Sequence, residues 1–206
     1  MSPYALYLVT DDKKDLTTLS NVVREAVRGG VTMVQLREKH GDIRAFLERA
    51  IAVKAILADT NVPLIINDRV DVALAVDADG VHLGQSDMPV NIARQLIGTD
   101  KLLGLSIETE DQLTEASYLP LDYIGLSAIF ATPTKTDTSH HWGLEGLIST
   151  LSKTSLPVVA IGGINKGNIK AINETGVHGI ALVSAIFNAT DPYLETKSIR
   201  RMLGSE

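Results

Sequence analysis

The 206-residue chain contains no cysteine, which removes disulfides, thiolate nucleophiles and thiolate metal sites at once. It has no excess of positive charge. Its net charge is −6, so no global field draws it to nucleic acid or to an anionic membrane, and any anionic ligand must be held by local groups. It has no apolar run approaching the roughly 18 residues of a membrane span. The opening "MSPYALYLVTDDKK" has neither a basic leader nor a long apolar stretch, so no signal peptide is expected, and the lack of cysteine suits the cytoplasm. No low-complexity or linker-like segment interrupts the chain. Hydrophobic residues make up 45%, enough for one sizeable core, and a single domain over 1–206 is expected, although length alone allows two small ones.

What is present is repetition. Strands are predicted at "YALYLV" (4–9), "TMVQLR" (32–37), "PLIIN" (63–67), "GVHL" (80–83), "LLGLS" (102–106), "YIGLS" (123–127), "PVVAIG" (157–162) and "GIALV" (179–183). These are nearly continuous apolar runs, as parallel strands covered on both faces require. Amphipathic helical patterns separate them. In "LTTLSNVVREAVRGG", Leu16, Leu19, Val22, Val23, Ala26 and Val27 recur at helical spacing, and Gly29 and Gly30 can end the helix. In "DIRAFLERAIAVKAILADT", Asp42 is the expected N-cap, and Ile43, Phe46, Leu47, Ala50, Ile51 and Lys54 follow the period. Eight strands alternating with about eight helices predict parallel pairing through right-handed crossovers, and a closed, compact (β/α)8 barrel is the natural result. An open doubly wound sheet is the rival, but Gly162-Gly163 lacks the dinucleotide-binding spacing that would support it.

In a barrel, chemistry gathers at the C-terminal strand ends. After strand 2 come Gln35, Arg37, Glu38 and Lys39. Strand alternation puts Gln35, Arg37 and Lys39 on one side, where a guanidinium fork and an ammonium suit phosphate oxygens; the plainer reading is a solvated salt-bridge rim. Asn67 and Asp68 end strand 3, and Asp87 follows strand 4 in "GQSDMP". Alone, Asp68 is a helix cap and Asp87 a turn residue. Together on neighbouring strands they are two hard oxygen ligands without His or Cys, a set that fits Mg²⁺ completed by substrate phosphates. Ser106 ends strand 5 with no triad context.

The stretch "AIFATPTKTDTSHHWG" (128–143) follows strand 6, bringing Thr132, Pro133, Thr134 and Lys135, then His140, His141 and the single Trp142. After strand 7, Gly162-Gly163 permits close backbone approach to an anion. After strand 8, Val183 and Ser184 open a helical segment, and this corner of a barrel is a frequent phosphate site. The residues alone thus point to two anion sites, for two phosphorylated molecules or for one bisphosphate. The five histidines show no zinc spacing.

"YLVTD" (7–11), "VQLREK" (34–39), "IINDRVDVALAVDADGVHLGQSDMP" (65–89), "GLS" (104–106), "IFATPTKTD" (129–137) and "VVAIGGIN" (158–165), in one order over nearly the whole chain, are similar to thiamine-phosphate synthase, also called thiamine-phosphate pyrophosphorylase. The resemblance implies a (β/α)8 transferase that couples 4-amino-5-hydroxymethyl-2-methylpyrimidine diphosphate to 4-methyl-5-(2-phosphoethyl)thiazole. The products are thiamine monophosphate and pyrophosphate, and Mg²⁺ is required. Carried over by motif, Gln35, Arg37, Lys39, Asn67, Ser106 and Lys135 bind the pyrimidine diphosphate, with Arg37, Lys39, Ser106 and Lys135 acting in catalysis. Asp68 and Asp87 hold Mg²⁺, and Thr132, Thr134, Gly163, Val183 and Ser184 receive the thiazole phosphate. "SAIF" at 127–130 and the bulky "HHWG" at 140–143 depart from the commoner family pattern, but touch none of these positions. Partners are then two phosphorylated small molecules, with neither nucleic acid nor membrane, and with room for a homo-oligomer. A related thiazole tautomerase barrel and a non-catalytic thiamine-phosphate-binding regulator are the alternatives. A phosphosugar isomerase is open on fold alone, without evident acid/base residues.

Overall fold

Each β-branched run becomes a short strand, and the strands lie side by side in the order in which the chain writes them. In a computed structural model, which describes residues 2–131 and 141–204, they are β1 (Leu6–Val9), β2 (Met33–Leu36), β3 (Leu64–Asn67), β4 (Gly80–Leu83), β5 (Leu102–Ile107), β6 (Tyr123–Ser127), β7 (Val158–Ile161) and β8 (Gly179–Leu182). Each pairs in parallel with the next, and β8 returns to β1 with Tyr7 opposite Ala181. That last ladder decides against the open sheet: the barrel is closed and has no free edge.

The helices are α1 (Leu16–Gly29), α2 (Ile43–Leu57), α3 (Val70–Ala75), α4 (Val90–Ile97), α5 (Glu110–Ala116), α6 (Gly143–Lys153), α7 (Ile169–Glu174), the single turn α8 (Ser184–Phe187) and α9 (Pro192–Met202), which lies against α1. Their starts follow local chemistry. Asp15 accepts from the Thr18 amide at 2.8 Å and Asp42 from the Ala45 amide at 2.9 Å, each satisfying an otherwise orphan helical N–H. α1 stops where Gly30 turns left-handed at φ 107°. The inward stripe of α2 runs through Phe46, Ala50, Val53 and Leu57. Ile51, expected on that stripe, is 59% exposed: it sits one residue beyond the 46-50-53-57 row, on the helix flank. Among the described residues no helix is long and apolar enough to cross a membrane.

Two packing layers result from the pleat, since successive strand side chains point to opposite faces. Leu6, Leu8, Val34, Leu36, Leu64 and Ile66 face the helices and belong to the larger apolar cluster. Tyr7, Val9, Met33, Ile65, Tyr123, Val159 and Ala181 fill the barrel interior. Burying each aliphatic side chain stabilises the fold by ~1.5–3 kcal/mol, so the helix-facing layer, with far more members, carries most of it. The interior is left free to hold polar groups at the upper strand ends.

Candidate active site

Gln35 is the last inward residue of β2, and the strand ends at Leu36. Strand alternation therefore does not place Arg37 and Lys39, contrary to expectation; a pinned loop does. The Arg37 amide donates to Thr10 Oγ1 at 2.9 Å and the Lys39 amide to Asp12 Oδ2 at 3.2 Å. Between them Glu38 accepts from Arg49 Nε of α2 at 2.7 Å, and Arg49 Nη1 donates to the Lys14 carbonyl at 2.8 Å. So fixed, Lys39 extends across to β3's end and its ammonium meets Asp68 Oδ2 at 2.5 Å. Lys39 is thus engaged across the strand ends and is no free solvated charge.

Asp68 follows Asn67 with φ 63°, a left-handed conformation uncommon for a residue with a Cβ. Two backbone hydrogen bonds hold it there: its own amide donates to the His82 carbonyl at 2.8 Å, and the Arg69 amide donates to the Asn67 carbonyl at 2.7 Å. Asp68 does not cap α3; Arg69 stands at that position without a side-chain cap. Asp87 does serve its turn, accepting from the Gly84 amide at 2.6 Å through Oδ2, while Pro89 occupies the cap of α4. The two carboxylates lie side by side. Burial first, and the adjacent Asp87 second, push the Asp68 carboxyl above the usual carboxylate range, with Lys39 opposing them. Among the described residues no group of three or more His, Cys, Asp or Glu gathers. Two carboxylates in mutual contact, with one lysine, form a donor set that suits a hard divalent cation completed by ligand oxygens. Nearby, buried Asn67 Nδ2 has no hydrogen-bond partner among the described residues. An unpaired buried donor costs ~1–3 kcal/mol and invites a ligand acceptor.

Across the barrel mouth, Gly162 and Gly163 take φ 98° and 69°. A Cβ on Gly163 would stand 2.7 Å from both the Ala131 carbonyl and Phe130 Cβ, so glycine is what lets this turn press against the chain leaving β6. The Asn168 side chain donates to the Gly163 carbonyl at 2.9 Å and fixes the turn. On β8's exit the Val183 carbonyl accepts from the Phe187 amide at 3.0 Å, with Ser184 exposed at the start of α8. Trp142 packs beneath the chain leaving β6, its Nε1 donating to the Ser127 carbonyl at 3.2 Å. Thr132, Pro133, Thr134 and Lys135 lie outside the described residues.

The family model described as thiamine monophosphate synthase matches residues 6–186. The chain is 74% identical over 192 residues to the thiamine-phosphate synthase of Vibrio campbellii, covering 93% of this chain and 94% of that protein. It is 51% identical over 199 residues to the one of Albidiferax ferrireducens, covering 96% and 91%. The chain belongs to the thiamine monophosphate synthase family. A solved structure, thiamine phosphate pyrophosphorylase from Pyrococcus furiosus, superimposes with a TM-score of 0.89 at 37% identity, covering 98% of this chain and 96% of that one.

In this member of the thiamine monophosphate synthase family, the interior holds polar residues that the sequence reading did not select. Gln35 Nε2 donates to Tyr7 Oη at 2.9 Å, and Tyr7 Oη meets Tyr123 Oη at 2.9 Å. Tyr123 Oη meets His82 Nδ1 at 3.0 Å, and His82 Nε2 meets Ser106 Oγ at 3.0 Å. Gln35 and Ser106 are thereby joined from below through Tyr7, Tyr123 and His82. The available signal was strand parity: Tyr7 lies opposite Met33, two residues before Gln35, and His82 opposite Gly104, two residues before Ser106, so all share the inward face.

Proposed function

We propose that this barrel couples 4-amino-5-hydroxymethyl-2-methylpyrimidine diphosphate to 4-methyl-5-(2-phosphoethyl)thiazole in the cytoplasm, giving thiamine monophosphate and pyrophosphate with Mg²⁺. The observation that carries the reading is the convergence of Lys39, Asp68 and Asp87 at the ends of β2, β3 and β4. A barrel that only bound or rearranged the thiazole would have no use for adjacent carboxylates and an ammonium on the opposite side of its mouth.

Asp68 and Asp87 would hold Mg²⁺, which when bound supplies positive charge to the diphosphate oxygens. Lys39, positioned by the Asp12 and Glu38–Arg49 contacts, stands at the rim before substrate arrives. Arg37 in the same loop offers its fork to the diphosphate, Asn67 Nδ2 donates to one of its oxygens, and the Lys135 ammonium, assigned to the same ligand by its motif, adds a further positive charge. These groups act where negative charge grows as the C–O bond breaks and its electron pair leaves with pyrophosphate. The resulting pyrimidinylmethyl cation is stabilised by its own amino group. The thiazole nitrogen then forms the new C–N bond with its lone pair, so no protein base is needed for that step. Thr132, Thr134, Gly163 and Val183–Ser184 seat the thiazole phosphate, and Gln35 and Ser106 orient the pyrimidine ring.

Steady-state and single-turnover kinetics on Asp68→Ala and Lys135→Ala test this placement. Each variant is expected to lose about 10²-fold or more in the coupling step. Wild-type rates in both would overturn it.

A further inference from the structure

The buried chain from Gln35 to Ser106 has a direction. A tyrosine hydroxyl has one hydrogen to donate, and so does a neutral imidazole. Gln35 Nε2 can only donate, and it does so to Tyr7 Oη. Tyr7 then gives its hydrogen to Tyr123, the acceptor it meets among the described residues. Tyr123, already accepting from Tyr7, gives its hydrogen to His82 Nδ1. His82 must therefore carry its proton on Nε2, which donates to Ser106 Oγ and leaves the Ser106 hydrogen for a ligand. At the other end, Gln35 Oε1 is the atom left to face the site. Burial pushes both tyrosines above the ordinary phenol range, so both stay as hydroxyl donors.

We infer that Tyr7, Tyr123 and His82 are positioning residues that lock the Gln35 amide with its oxygen toward the substrate ring, and so select a ring bearing an exocyclic amino group over the same ring bearing an oxo group. This rests on the coupling reaction proposed above and names what sets its choice of ring. An oxo ring needs the amide reversed. Reversal cannot stop at Gln35, because both tyrosine hydroxyls, the His82 tautomer and Ser106 must turn with it. A five-member switch in a buried, low-dielectric interior is far less available than one amide flip. The barrel keeps room for the chain: a Cβ at Gly104 would fall 2.5 Å from His82 Nδ1, and one at Gly125 would fall 3.1 Å from His82 Cε1.

The test has two arms. The first reads the His82 tautomer from side-chain ¹⁵N signals of histidine-labelled full-length protein, assigned by their loss in His82→Asn. The expected state is the Nε2–H tautomer, and an Nδ1–H tautomer overturns the inference. The second compares kcat/KM for the 4-amino pyrimidine diphosphate and its 4-oxo analogue in wild type, Tyr7→Phe and Tyr123→Phe. The amino-to-oxo ratio is expected to fall by about tenfold or more in both variants, chiefly through KM, because Tyr7→Phe frees the amide to turn alone and Tyr123→Phe leaves only the Tyr7 hydroxyl to turn with it. An unchanged ratio, with both substrates slowed equally, overturns it. If wild type makes product from neither ring, the coupling reading fails, and the tautomer arm still judges the direction of the chain. Should a phenylalanine variant fail to fold, the tautomer arm decides by itself.

Discussion

Gly104→Ala tests the barrel interior most severely. A Cβ there would stand 2.2 Å from Tyr123 Cζ and 2.5 Å from His82 Nδ1, about 1 Å short of ordinary contact on both sides. Neither ring can retreat freely, because Tyr123 is tied to Tyr7 at 2.9 Å and His82 to Ser106 at 3.0 Å. Overpacking a tight core costs ~1–3 kcal/mol, and breaking the Tyr123–His82 hydrogen bond leaves buried polar atoms unpaired at ~1–3 kcal/mol more. Together about 2–6 kcal/mol should be lost, or roughly 4–24 °C in Tm for a domain of this size. Urea unfolding followed by the fluorescence of the single, buried Trp142 gives the number directly. Removing the phenol ring with Tyr123→Leu should relieve the clash, so Gly104→Ala should cost at least ~1 kcal/mol less in that background. If Gly104→Ala alone stays within ~0.5 kcal/mol of wild type, the packed interior described here is wrong.

The Glu38–Arg49 pair should show position rather than stability. Burial raises the Glu38 carboxyl above its ordinary value of 4.5 despite Arg49, so the fold favours its protonated form. Its contribution is then full below the unfolded value and is lost as pH rises through the raised folded one. Glu38→Gln, which keeps an acceptor for Arg49, should leave stability at pH 7 unchanged or higher and flatten that pH dependence in urea titrations. Arg49→Ala instead strands a buried carboxylate and should cost about 3 kcal/mol while raising KM for the pyrimidine diphosphate. Lys39→Ala should lower kcat/KM by about 10²-fold or more with little loss of stability, since its pair with Asp68 is half exposed. A stability loss without a rate loss would make Lys39 structural.

The alternation of apolar runs with amphipathic stretches was enough to read the barrel, because parallel strands covered on both faces write themselves as continuous Val/Ile/Leu segments. Strand ends were less legible. β2 stops at Leu36, and what carries Arg37 and Lys39 onward is a set of contacts from Thr10, Asp12 and Arg49, residues distant in sequence and ordinary in type. Asp68 and Asp87 were legible as a pair only once neighbouring strand ends were assumed. Tyr7, His82 and Tyr123 sat inside apolar runs where each looked like core. Their role depends on which strand residues lie level across the barrel, and that register is set by the closed sheet rather than by any local pattern.

The most direct measurement mixes the purified protein with the pyrimidine diphosphate, the thiazole phosphate and Mg²⁺, and follows both products in a single turnover. Thiamine monophosphate and pyrophosphate are expected in equal amounts, abolished by EDTA and restored by added Mg²⁺. Thiamine monophosphate formed at the same rate in EDTA would contradict the role given to Asp68 and Asp87, and no product under any condition would contradict the function itself.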